Sequence, residues 1–243
     1  MNDTIKYKGY SIEIKQDSDP LNPRTDYDNL ATMCCYHSNY NLGDKQDHNS
    51  NASTVEDEAR YKFAFDADVD LEEIEQCGTE QEIDAAHRKI DNWIRKNTVL
   101  MELYLFDHSG LSISVSPFGC GWDSGTVGFI YITKDQMTNN FGGKYFTKGL
   151  RERAAEIIRA EVELYDQFLT GDVYYVGIES LEIGCGSFFG YDHDKSGALE
   201  YARIEIDYHI EYQRKRKQKV IKSLARNHVP LQNRAQILNN VGL

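Results

Sequence analysis

At 243 residues, with 40% apolar and 27% charged side chains, the chain is long enough to bury a core without cross-links and too apolar to be disordered. Its formal charge of −12 opposes nonspecific attraction to nucleic acid. Five cysteines without a Cys-x-x-Cys pair argue against a disulfide framework or a zinc ribbon, so reduced thiols are expected.

The opening MNDTIKYKGYSIEI lacks the basic and apolar regions of a signal peptide, and no run reaches the ~18 apolar residues of a membrane span. A soluble, cytoplasmic protein without membrane contact is expected. Tyr7, Tyr10, Ile12 and Ile14 alternate with polar neighbours and predict a first strand. The Pro- and Asp-rich DSDPLNPRTDYDN predicts a loop, and LATMCCYHS a short buried strand. The next stretch, NLGDKQDHNSNASTVEDE, is the most polar of the chain and predicts a mobile loop near 43–60.

A helix is predicted from Thr79, where Thr79 and Glu82 form a capping pair and Ile83, Ala86, Ile90, Trp93 and Ile94 recur at helical spacing. TVLMELYLF, LSISVS and TVGFIYIT predict three antiparallel strands joined by Gly-containing turns. TKGLRERAAEIIRAEVELYDQFLTG predicts a long amphipathic helix closed by Gly171. DVYYVGIESLEIG adds a strand, and from about Ser196 a long helix runs until Pro230, with a short helix over 231–240. The expected class is α+β: an antiparallel sheet with helices on one face and a long C-terminal helix. It forms one domain over 1–212 and a basic helical extension over 213–243.

The segments DPLNPRTDYDNLATMCCYHSNYNLGD, LFDHSG, GCGWDSGTVGFIYIT and YDQFLTGDVY together resemble a family of uncharacterised proteins encoded by bacteriophages and bacterial mobile elements. The likeness covers most of residues 5–210 and leaves out the acidic loop near 49–58, the DHDKSG turn and the basic tail. It implies a host-takeover or anti-defence protein and assigns no catalytic residue.

Several clusters invite a chemical reading. Asp107 and His108 stand where a strand ends; a carboxylate beside an imidazole suits general-base chemistry, but strand neighbours point to opposite faces. Cys120, between glycines, is a candidate thiolate with His108 or His37 as base, against the plainer reading of a small apolar residue. Trp122, Asp123 and Ser124 read as a hairpin turn and equally as a binding hot spot, and Asp166 joins them as a candidate binding residue. Cys34, Cys35 and His37 are metal-ligand types without the spacing of a tetrahedral zinc site. DADVDLEEIEQC from Asp66 fails the calcium-loop pattern twice; DHDKSGALEYAR from Asp192 fits it as far as Gly197 and Glu200, then places Arg203 where the bidentate Glu belongs. No metal or cofactor is expected.

Residues 213–226 carry seven basic and no acidic side chains, leaving 20 basic against 39 acidic residues elsewhere. Val220, Ile221 and Leu224 keep an apolar stripe there, which suits a homo-oligomer contact better than nucleic acid, since aromatic interleaving is lacking. The favoured reading is a non-enzymatic accessory protein of a phage or mobile element. Its acidic surface binds and inhibits a host defence protein or nucleoprotein complex, of anti-restriction or anti-CRISPR type. Two alternatives stand beside it: a small metal- or thiol-dependent enzyme using Asp107, His108, Cys120 and Asp123, and a nucleic-acid-binding protein using the basic helix.

Overall fold

A computed structural model describes residues 3–44 and 51–240. In chain order the elements are β1 (Asp3–Tyr7), β2 (Tyr10–Gln16), β3 (Thr32–Cys35), α1 (Val55–Ala64), α2 (Leu71–Cys77), α3 (Glu80–Asn97), β4 (Thr98–Asp107) and β5 (Leu111–Ser114). They continue with β6 (Ser124–Thr133), α4 (Lys134–Phe141), α5 (Lys148–Thr170), β7 (Val173–Ile178), β8 (Ile183–Phe189), α6 (Ala198–Arg226) and α7 (Leu231–Asn240). The α+β class, the antiparallel pairing and the long C-terminal helix are those the sequence predicts, but the strands divide between two sheets.

The chain forms two compact units, Leu21–Gly171 and a discontinuous one made of Met1–Pro20 with Asp172–Leu243. The sequence reading places neither break. Gly171 marks the second: its left-handed backbone (φ 73°) ends α5, and its N–H reaches the carbonyls of Gln167 and Phe168.

In the Leu21–Gly171 unit the sheet order is β3-β6-β4-β5. Central β6 is buried on both faces, which is why TVGFIYIT reads as an unbroken apolar run. Ile130 and Ile132 pack with Ile158 and Val162 of α5 and Met137 of α4, whereas Phe129 and Tyr131 pack with Phe63 of α1 and Ile90 of α3. Helices therefore cover both faces of this sheet. Gly128 is required by a close approach, since a Cβ there would meet the Cys34 carbonyl oxygen at 1.9 Å.

The polar stretch expected to be a loop is partly helical: α1 begins at Val55, and Thr54 caps it by accepting from the Asp57 N–H while Asp57 accepts from the Thr54 N–H. Residues 45–50 of that stretch lie outside the described residues. The same device opens α3, where Glu82 accepts from the Thr79 N–H at 2.7 Å.

In the other unit the order is β1-β2-β7-β8. Helix α6 covers one face, with Ala198, Leu199, Ala202 and Ile206 against Ile12, Ile14, Val176 and Ile178. It runs through Gln213 without a break, so the basic segment is the second half of one 29-residue helix and no separate element. Helix α7 contacts α6, with the Val229 N–H bonded to the Leu224 carbonyl in the connection.

Candidate functional site

The turns after β4 and before β6 meet at one end of their sheet. Asp107 donates its N–H to the Asp123 carbonyl (2.8 Å), which ties the two turns together. The adjacent side chains then diverge, as strand geometry requires. Asp107 accepts from the Tyr40 hydroxyl at 2.9 Å, and this bond pushes the Tyr40 phenol above its ordinary pKa. His108 instead sets Nδ1 3.1 Å from Oδ2 of Asp123. The carboxylate that orients His108 is thus one fifteen positions on in the chain.

His37 stacks on Tyr40 with ring centroids 4.8 Å apart and accepts from the Asn39 N–H. Phe106 packs against Phe118 and His108. Trp122 is 97% exposed, which decides the question left open by periodicity: the indole points outward. Cys120 is exposed, and its carbonyl accepts from the Ser124 hydroxyl, so Ser124 closes the turn. Asp166 lies on α5, where its carboxylate accepts from the Ser112 hydroxyl (2.7 Å) and the Ile113 N–H (2.8 Å). It holds edge strand β5 in place through these two bonds.

Cys34 lies in the core and Cys35 is half-buried; burial pushes both thiols up to about 12, which makes them poor nucleophiles and poor metal ligands at neutral pH. The calcium-like loop is held by protein cations: Lys195 is 3.0 Å from Asp192, and Arg203 is 3.1 Å from Asp194. Ser196 accepts from the Ala198 N–H at 3.4 Å at the start of α6, which Gly197 precedes as N-cap. Among the described residues no three His, Cys, Asp or Glu side chains are grouped to hold a metal ion. No helix of the described residues is long and apolar enough to cross a membrane.

Two features escape the sequence reading. The first is Arg24, whose side chain is 1% exposed. Its guanidinium forks onto Asp44 (2.9 and 2.8 Å), pairs with Glu161 of α5 (2.7 Å) and donates to the Ala31 carbonyl. Glu161 also accepts from the N–H groups of Leu30 and Ala31, so this cluster fastens the Pro-rich loop to α5. Its character is structural.

The second is where the expected acidic surface lies. Between Glu56 and Asp84 stand twelve acidic and two basic side chains. Asp66, Asp68, Asp70, Glu72, Glu73 and Glu75 are exposed on the α1–α2 connection and on α2. Phe65, at the end of α1, is 92% exposed among them, while Phe63, two residues earlier, is buried on Trp93 and Tyr131. A shallow cleft of about 560 Å³ beside Phe65 is lined by Tyr61, Val69, Asp70, Leu71 and Glu72. The signal available in the sequence was the Thr54-x-x-Asp57 cap and Asp70, which accepts from the Glu73 N–H; together they make a helix pair of what resembled a failed calcium loop.

Compared with protein-family models, curated proteins and solved structures, the chain has no match.

Proposed function

We propose that the protein is a binding protein that occludes a basic, nucleic-acid-facing surface of a bacterial defence factor. The observation that carries this reading is the acidic surface over residues 56–84, where Asp68, Asp70 and Glu72 line one cleft with the exposed Phe65. A dense field of one sign steers a basic partner and sets orientation, and an exposed aromatic ring supplies the desolvated anchor that charge alone does not. The resemblance to phage and mobile-element proteins supports the choice of a defence factor as target. Expression in bacteria carrying restriction or CRISPR immunity tests it by phage plating. Plating rises with the wild-type protein and returns to the defended level with Phe65→Ala combined with Asp66→Asn, Asp68→Asn and Asp70→Asn; a variant as active as the wild type contradicts the reading.

A second reading, a small hydrolytic or thiol enzyme, is favoured by the 3.1 Å approach of His108 to Asp123. It predicts that His108→Ala and Cys120→Ala abolish the phage phenotype, whereas the binding reading predicts that both variants keep it.

A further inference from the structure

Helix α6 has two exposed halves of opposite sign. Its first half presents Ile204 (57% exposed) and Tyr208 (70% exposed), together with Tyr212, on the side away from Ala202 and Ile206. At 3.6 residues per turn, Lys215, Lys219, Lys222 and Arg226 continue that same stripe through the second half. The half-buried Val220 and Leu224, by contrast, continue the face of Ala202 and Ile206. One helix side thus passes from apolar rings flanked by carboxylates to ammonium and guanidinium groups, over roughly 43 Å.

We propose that this stripe pairs antiparallel with the α6 stripe of a second copy of the chain, about a two-fold axis at residue 213. The register follows from the charges. Glu200 with Arg226 and Glu211 with Lys215 are each placed symmetrically about residue 213, so one rotation satisfies both pairs, and each occurs twice. The same rotation sets Ile204 beside the aliphatic stem of Lys222 and Tyr208 beside Gln218. Parallel pairing in register would instead set Glu211 against Glu211 and Lys215 against Lys215, so charge selects the antiparallel arrangement. Within one chain Lys215 lies 3.6 Å from Glu211, so this pair is directed along the stripe before a partner arrives. The proposal stands apart from the acidic surface at 56–84 and does not depend on it.

Sedimentation equilibrium of the full chain at low and high salt tests it, with circular dichroism as the control for folding. The expected result is a dimer at low salt that dissociates as salt screens the pairs. Glu211→Lys alone and Lys215→Glu alone each raise the dissociation constant by about tenfold or more, because each sets like charges opposite twice. The double variant Glu211→Lys, Lys215→Glu restores the dimer. A monomer at low salt overturns the proposal, as does a dimer indifferent to salt and to both single reversals. Loss of the dimer in a folded double variant overturns the register.

Discussion

The two units differ most in how they use charge. The Leu21–Gly171 unit carries 26 acidic and 14 basic side chains, so the whole formal charge of the protein belongs to it. The discontinuous unit carries 13 of each, and its helix α6 places four acidic side chains in the first half and seven basic ones in the second. An excess of one sign suits a surface meant for a different, basic partner; a helix with its two signs segregated suits a copy of itself. The same contrast holds inside. The first unit buries both faces of its sheet and locks a loop with a buried ion cluster, while the second rests one sheet face on α6.

The largest expected effect breaks the ion cluster. Arg24→Ala leaves the partly buried carboxylates of Asp44 and Glu161 without their cation, and the cost is about 3 kcal/mol. Urea unfolding followed by tryptophan fluorescence reads it, because Trp93 and Trp122 both lie in that unit. Ile206→Ala is the corresponding change in the other unit and removes a fully buried side chain between α6 and its sheet. It costs about 2–5 kcal/mol, seen in the far-UV circular dichroism transition. A cost below about 1 kcal/mol for either would mean that its core is not the one described.

Alkaline pH sharpens the comparison next. Cys34 and Cys35 belong to the Leu21–Gly171 unit and have thiols raised by burial from an ordinary value of 9.0 to about 12. Below pH 9 both states are protonated and stability is at its full value. Above it the unfolded thiols ionise first, so stability falls as pH rises from about 9 through about 12. The tryptophan-reported midpoint therefore drops over that interval, and Cys34→Ala with Cys35→Ala makes the drop smaller. The same burial predicts that a thiol reagent labels the exposed Cys77 and Cys120 at neutral pH well before Cys34 and Cys35. The smallest effect belongs to Trp122→Ala, which changes stability by less than about 0.5 kcal/mol because the indole touches mostly water.

Regular elements were legible where one physical signal dominates. The Thr79 cap, the apolar spacing of α3, the glycine after α5 and the three apolar runs of β4, β5 and β6 each correspond to an element. Helices α1, α2 and α4 were not read, because their charged or short sequences hide a weak periodicity, and their caps at Thr54, Asp70 and Thr133 were the better guide. The division into two units is invisible locally: β2 pairs with β7 across some 160 positions, and no composition shift marks Pro20 or Asp172. The structure joins Asp107, His108 and Asp123 across the two turns, with side-chain partners that sequence adjacency does not indicate. Asp107 looked like the neighbour of His108, whereas it serves Tyr40, and Asp123 takes its place. In the sequence Arg24 is one cation in a loop, since burial of a charge by two distant carboxylates leaves no local trace.

The central claim is that the acidic surface around Phe65 recognises a basic defence factor. Affinity purification of the tagged full chain from a defended bacterial host at low salt, quantified by mass spectrometry beside the variant Phe65→Ala, Asp66→Asn, Asp68→Asn, Asp70→Asn, tests it most directly. The account predicts a stoichiometric defence protein or nucleoprotein with the wild type, lost with the variant and weakened by salt. A partner retained by the variant, or no defence component with either protein, would contradict it.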